Sequence, residues 1–362
     1  MRLTIGEAPM RKSLLLAAVL ALALAGCGKK EESKPAPKAE APKAAPTPAP
    51  KAEAPKLEPS APGKLKFAHV YETTEPYHTE AVWAAGELNK RTDGRWSMDV
   101  FPASQLGNET QINQSLSLGT VDLIYTGQAF AARTFPALSI GGAPYMFRDF
   151  DHWKKYSESP VLAELMDGYF KKGGNKPIAA FYYGVRHTTA NKAINKPEDM
   201  KGLKLRVPDA PLYIMYPKIA GANATPIAFA EVYLALQNKT VDAQENPLPT
   251  ILAKKFYEVQ THINLTGHIT EMLLAIVGGH VWNKASDADK KVFEAVFKEA
   301  AEKSNAEIAK SEQQLVTDFA TKYGKTVVKS DREAFKKVFA PFLVAKDVPW
   351  DKPLYDRVQA IK

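Results

Sequence analysis

The chain has 362 residues, 45% of them apolar, and a formal net charge of +8. That length allows two domains with a sizeable core, and the composition is that of an ordinary globular protein. Half of the net charge falls in residues 1–63. No Lys/Arg run interleaved with aromatics follows it, which argues against a nucleic-acid partner. A single cysteine, Cys27, excludes an internal disulfide.

Met10-Arg11-Lys12 opens a signal-like segment. Leu14 to Leu24 is an apolar run of signal-sequence length, too short to span a bilayer. It ends in Leu24-Ala25-Gly26-Cys27, which resembles the bacterial lipobox, in which the cysteine is lipidated on its thiol and becomes the mature N-terminus. Residues 1–27 are therefore expected to be a lipoprotein signal peptide. Between Gly28 and Gly63 nine Pro and nine Ala alternate with Lys and Glu. Such a segment has almost no apolar surface with which to offset its ordering entropy, so residues 28–63 are expected to form an extended, disordered tether.

The folded body is expected over 64–362. Lys64–Val70 alternates like a half-buried strand, and Thr79–Leu88 follows as a helix. Trp96–Pro102 is a second strand, a helix runs from about Glu109 to Leu118, and Val121–Tyr125 is a third strand. The pattern resumes at Ile178–Tyr183. Strands alternating with helices predict an α/β fold with βαβ units and a mostly parallel sheet. Asp289 to about Thr321 is a long helical run with Val292, Phe293, Val296, Phe297 and Ala300 at helical spacing, the pattern of a core-facing stripe.

Three pieces carry the chemistry. Leu203, Leu205 and Val207 alternate with Lys204 and Arg206, and Pro208, which has no N–H to donate, ends the strand. Arg206 therefore stands near a strand end, where ligands bind in open α/β sheets, and its planar fork of donors fits a carboxylate or another oxyanion. Arg186 precedes an extended run, Thr188-Thr189-Ala190. Asn246 follows another, Thr240–Ala243. Two guanidiniums and one amide beside strands can converge on one anion.

At these residues the chain resembles the substrate-binding subunits of the tripartite ATP-independent periplasmic (TRAP) transporters, most of all the sialic-acid-binding members. The likeness rests on Pro197–Pro208, on Phe229–Gln237, on Gln244-Glu245-Asn246-Pro247 and on Lys255–Gln260, in that order, and runs from about Lys64 to the C-terminus. It implies a two-lobed, Venus-flytrap-type binding protein with a hinge and a long bracing helix. Lobe I is expected over about 64–184 and 272–310, and lobe II over about 185–271 and 311–362. Hinge segments are expected near Tyr183–His187 and Leu265–Leu274. By the same resemblance Arg206 pairs with the substrate carboxylate, Arg186 and Asn246 assist it, and Phe229 packs on the ligand. Glu109 matches an acidic position of the sialic-acid-binding members. Tyr71, Glu72, Gln105, Gln128 and Tyr145 lie at or after strand ends, where polar groups would face the opposite lobe.

Two departures weaken the sialic-acid reading. Those members carry a Glu and an Arg after the third strand, whereas Tyr125-Thr126-Gly127-Gln128-Ala129-Phe130 has no charge, and their Asn after Arg-Val-Pro is Asp209 here. A smaller organic anion fits better: a carboxylate such as a hydroxy, keto or sugar acid, or a sulfonate. The resemblance implies delivery to a small and a large TRAP membrane subunit, and a lipid on Cys27 is expected to anchor the periplasmic, extracytoplasmic protein to a bacterial membrane. A ligand sensor for a signalling partner is the reading from another class.

No enzyme is expected, because no nucleophile–base pair, Gly-x-Ser-x-Gly elbow or phosphate loop occurs. No cofactor is implied. Seven histidines invite a metal site, yet none shows compact ligand spacing; His69 and His78 are separated by eight residues that include Glu72 and Glu75.

Overall fold

Nine strands build one mixed sheet in the computed structural model, which describes residues 63–362. The expected signal peptide, Cys27 and the tether up to Pro62 lie outside the described residues. The strands are β1 (Gly63–Ala68), β2 (Trp96–Phe101), β3 (Leu123–Gly127), β4 (Lys176–Ala190), β5 (Lys204–Val207), β6 (Asn223–Pro226), β7 (Ala243–Pro247), β8 (His262–Val277) and β9 (Thr326–Val328). Their order is β2-β1-β3-β8-β4-β7-β5-β6, with β9 against β8.

The sheet falls into two wings on a shared centre. In the first wing β1 pairs parallel with β2 and β3, and in the second β5 pairs parallel with β6 and β7. These are the βαβ units read from the alternating pattern. The centre departs from the mostly parallel sheet expected: β3 with β8, β4 with β7 and β4 with β8 are all antiparallel. Strands β4 and β8 run through both wings. The first wing joins at residues 273–277 of β8 and the second at residues 186–190 of β4. This is the two-lobed fold.

The expected hinge segments coincide with irregular backbone. The β4–β8 register shifts between Tyr182 and Gly184 and again between Arg186 and Thr188. Gly184 has φ 120°, and a Cβ there would stand 2.6 Å from Glu312 Oε1 and 2.8 Å from Pro247 Cβ. Only glycine meets both demands.

The long helix Asp287–Thr321 braces both lobes. It starts at Ser286, whose side chain accepts from Asp289 N. Near that end Phe293 packs edge-on against Trp96 and Phe297 against Phe67, in the first lobe. At the far end Leu315 and Phe319 join Ile251, Phe256 and Ile263 of the second. Each fully buried large apolar side chain contributes about 1.5–3 kcal/mol. Midway, Asn305 Oδ1 accepts from Tyr182 N at 2.6 Å, and Glu312 accepts from Val185 N at 2.6 Å and from the Tyr182 hydroxyl at 2.8 Å. The helix is thus bonded to β4 where β4 bends.

One expected boundary changes. The last helix, Lys352–Gln359, expected in the second lobe, docks on the first. His152 Nε2 lies 3.0 Å from Val358 O, Gln359 Nε2 donates to Met146 O, and Arg357 pairs with Glu164. The polar stripe of this short helix hid its apolar contact at Val358, which is fully buried.

Candidate ligand-binding site

Between the wings lies a cavity of about 470 Å³. Tyr71, Glu109 and Phe130 line it from the first lobe; Arg206, Asp209, Tyr213 and Phe229 from the second; Tyr183, Arg186 and Asn246 from the central strands.

Arg206 is the third residue of β5, with Leu205 and Val207 buried on either side. Its own side chain is also buried, at 1% exposure. Nε and Nη2 donate to Ile227 O at 3.0 and 2.7 Å, which fixes the plane of the guanidinium. Nη1 is buried and has no hydrogen-bond partner. Burial pulls the pKa down to about 10, with Glu245 opposing and Arg186 adding to the fall. At neutral pH the group is still a cation with one donor edge unused. A buried charge in that condition is costly unless an anion arrives to pair with it.

Arg186 is different. Its Nε donates to Glu245 Oε2 at 2.5 Å and its Nη2 to Glu245 Oε1 at 2.8 Å, a two-bond ion pair across β4 and β7. Burial pushes Glu245 up, but the charge and hydrogen bonds of Arg186, then those of His268, outweigh it and hold the carboxyl at about 2. Glu271 Oε2 lies 3.8 Å from Arg186 Nη1, and burial raises that carboxyl to about 7 against the pull of Arg186. The charge of Arg186 is therefore already matched within the protein.

Asn246 lies inside β7 rather than beyond its strand: Thr240–Asp242 precede the ladder, which begins at Ala243. Its Nδ2 donates to Gln244 Oε1 at 2.7 Å, and its Oδ1 accepts from the Tyr183 hydroxyl and from Arg186 Nη2, both at 3.3 Å. One amide hydrogen remains for the cavity.

Glu109 opens the helix Glu109–Leu118 behind Asn108, which forms a capping box with Gln111. Its Oε1 accepts from Gly127 N at 2.7 Å and from Thr126 Oγ1 at 3.0 Å. Burial raises its pKa, opposed by those two hydrogen bonds. A Cβ on Gly127 would lie 2.7 Å from the Tyr213 hydroxyl, so the glycine makes room for that tyrosine. Phe229 stacks between charges, its ring centroid 5.9 Å from Arg206 Cζ and 5.1 Å from Lys254 Nζ. Tyr71 is buried against Tyr183, and Asp209 is exposed at the rim, 3.5 Å from Arg133 Nη2.

Gln128 does not join this cavity. It begins a short helix and is fully buried, and a Cβ on Gly141 would clash with its Oε1. The turn after β3 carries its side chain into the first lobe instead of across the cleft. Gln105 is exposed and Tyr145 donates to Thr266 O, both away from the cavity. His69 and His78 touch each other, Nε2 to Nδ1 at 3.2 Å. Among the described residues no group of three or more His, Cys, Asp or Glu is arranged to hold a metal ion.

Sequence reasoning missed Tyr213, Tyr183 and Glu245. Glu245 had a visible signal, since it sits inside the quoted Gln244–Pro247 run. The two tyrosines carried none, because their roles depend on where β4 bends and on the space left at Gly127.

Two lobes joined by continuous strands, with a cavity between them whose wall carries a buried cation with an unused donor, define the class of solute-binding proteins. The family model for bacterial extracellular solute-binding proteins, family 7, matches residues 67–346, and the chain belongs to that family. It is a TRAP-type substrate-binding subunit. It is 34% identical over 284 residues to the sialic acid-binding periplasmic protein SiaP of Vibrio cholerae, covering 78% of this chain and 88% of that protein. It is similar in structure to a TRAP periplasmic solute-binding protein from Polaromonas sp. JS666 bound to D-erythronate. That match has TM-score 0.77 and 34% identity over 83% of this chain and 99% of the other. A third relative, from Roseobacter denitrificans with bound L-galactonate, matches with TM-score 0.76 and 30% identity, over 82% and 98% of the two chains.

Proposed function

We propose that the protein captures a small hydroxylated monocarboxylate, a sugar acid or related hydroxy acid, and delivers it to the small and large membrane subunits of a TRAP transporter. The observation that carries this reading is the buried, unpartnered Nη1 of Arg206 at the cavity wall. A carboxylate placed there gains charge-assisted hydrogen bonds in a site of low dielectric.

The rest of the cavity disfavours a second negative group. Arg186 is matched by Glu245, and Glu109 and Asp209 both line the space. Carboxylate oxygens and tyrosine hydroxyls suit ligand hydroxyls, which donate to the former and accept from the latter. The bound D-erythronate and L-galactonate of the two structural relatives agree in class with this chemistry. Sialic acid, the ligand in the name of the Vibrio cholerae relative, is larger, and the run Tyr125–Phe130 at the end of β3 offers its additional polar groups no charge.

We further propose that Cys27 carries a lipid which holds the protein at the outer face of a membrane, on the strength of Leu24-Ala25-Gly26-Cys27. No helix among the described residues is long and apolar enough to cross a membrane. A thermal-shift screen tests the ligand: D-erythronate, L-galactonate, succinate, sialic acid and a small sulfonate. A ligand that binds only the folded state adds about 2.7 kcal/mol at a hundred times its Kd. The hydroxylated monocarboxylates should raise the melting temperature, and stabilisation by the dicarboxylate or the sulfonate alone would refute the reading.

A further inference from the structure

The residues that close on the ligand need not touch it. Glu72 follows β1 in the first lobe. Lys254 follows the helix Leu248–Ala253 in the second. Their side chains meet across the cleft, Nζ to Oε1 at 2.7 Å, and are only 14% and 29% exposed. The peripheral pair Lys64–Asp99, by contrast, is 70% and 52% exposed. The backbone of Glu72 is held in place, because its N–H donates to Glu75 Oε2 at 2.8 Å and Glu75 Oε1 accepts from Thr250 Oγ1 at 2.6 Å. The same Lys254 ammonium stands 5.1 Å from the Phe229 ring, which lines the cavity beside Arg206. One cation therefore touches the opposite lobe and the ligand wall together.

On the other rim Arg133 of the first lobe donates through Nη1 to Thr110 Oγ1 and through Nη2 to the backbone oxygen of Asp209, just past Pro208. That contact is more exposed, at 39% and 63%, and is the weaker of the two because solvent screens it.

We propose that Lys254 and Glu72 are positioning residues for ligand capture: their ion pair clasps the two lobes beside Phe229 and slows ligand release. The proposal rests on the ligand-binding reading above. Lobes that open about β4 and β8 separate Glu72 from Lys254, so the pair contributes only to the closed form. An interaction present only in the closed complex acts on dissociation rather than on encounter. A partly exposed pair of this kind changes an equilibrium by about twofold to fivefold.

The test uses the full-length protein with D-erythronate and L-galactonate as probes, read by stopped-flow fluorescence. Lys254→Met keeps a flexible chain over Phe229 but removes the charge, and Glu72→Gln removes the partner. Each should raise the dissociation rate about twofold to fivefold, with the association rate unchanged within error. The charge-swapped double variant Glu72→Lys, Lys254→Glu should recover most of the loss, which a merely structural role would not. Near 1 M salt the gap between wild type and Lys254→Met should narrow. Equal dissociation rates in wild type and Lys254→Met overturn the proposal.

A second readout works if neither probe binds, an outcome that defeats the substrate class alone. Spin labels on cysteines introduced at exposed Gln114 and Gln237, with Cys27 replaced by Ser, report the distance between lobes. The short-distance population should shrink in Lys254→Met and return in the swap. Identical distributions in wild type and Lys254→Met overturn the clasp whether or not a probe binds.

Discussion

Arg186 and Glu245 form an ion pair with only 2% and 1% of their side chains exposed, so the arginine expected to lend its charge to the ligand spends that charge inside the protein. Asn246 Oδ1 and Glu271 Oε2 lie beside it, at 3.3 and 3.8 Å. Removing one partner leaves the other buried and uncompensated, which typically costs about 3–5 kcal/mol. Glu245→Gln should therefore melt well below wild type in the absence of any ligand. The double variant Arg186→Met, Glu245→Leu should recover much of the loss, because it removes both charges. Urea unfolding of the three proteins measures this; a single variant as stable as wild type would show that the pair carries no structural load.

Arg206 should behave in the opposite sense. Its Nη1 has no partner, so the folded protein gains little from the charge until a ligand arrives. Arg206→Ala should keep or slightly raise the melting temperature while losing about 2–5 kcal/mol of ligand affinity. Arg206→Lys keeps a charge but loses the planar fork, and should fall between the two. Calorimetry on both variants, with whichever acid stabilises wild type in the thermal screen, gives the answer. Near-wild-type affinity in well-folded Arg206→Ala would remove this residue from the site.

The contrast between the two arginines marks where the sequence stops being legible. Alternation around Leu205 and Val207 placed β5, and Pro208 placed its end, because those signals are local. Strand β8 was missed as a strand: Met272 to Val277 are all buried, so no polar alternation betrays it. The antiparallel centre followed from that omission. Gln128 was misplaced because its direction depends on how the short helix after β3 turns, which the close approach of Gly141 decides. That Arg186 is neutralised and Arg206 is not depends on cross-strand register, β4 against β7, and no single strand records it.

The anchor is tested apart from the fold. Cys27→Ser removes the only thiol in the chain, and with it the proposed site of lipidation. The variant should leave the membrane fraction for the soluble one while binding its ligand as wild type does. Continued sedimentation with membranes at high salt would refute the lipid anchor, since salt removes electrostatic attachment but not an acyl chain.

Glu312 links the bracing helix to the bend in β4, and burial makes its charged form costly. Burial raises its pKa from 4.5 to about 7, opposed by the hydrogen bonds from Val185 N and the Tyr182 hydroxyl. Between pH 4.5 and about 7 the folded state holds a proton that the unfolded chain has released. Stability from this group is therefore complete below pH 4.5, falls as pH rises through that window, and is gone above it. A shift of this size corresponds to about 3 kcal/mol at most. Glu75 and Glu271, also raised to about 7 by burial, act in the same direction, whereas His69 and His187, lowered to about 3 by burial, oppose them up to pH 6.5, so the melting temperature of wild type should be lower at pH 8 than at pH 6.5. Glu312→Gln mimics the neutral carboxyl and keeps an acceptor for Val185 N. It should match wild type near pH 5 and exceed it near pH 8, flattening the profile. Calorimetric melts of the two proteins across that range decide it: parallel curves would mean that Glu312 releases its proton outside this window and that the brace does not respond to pH.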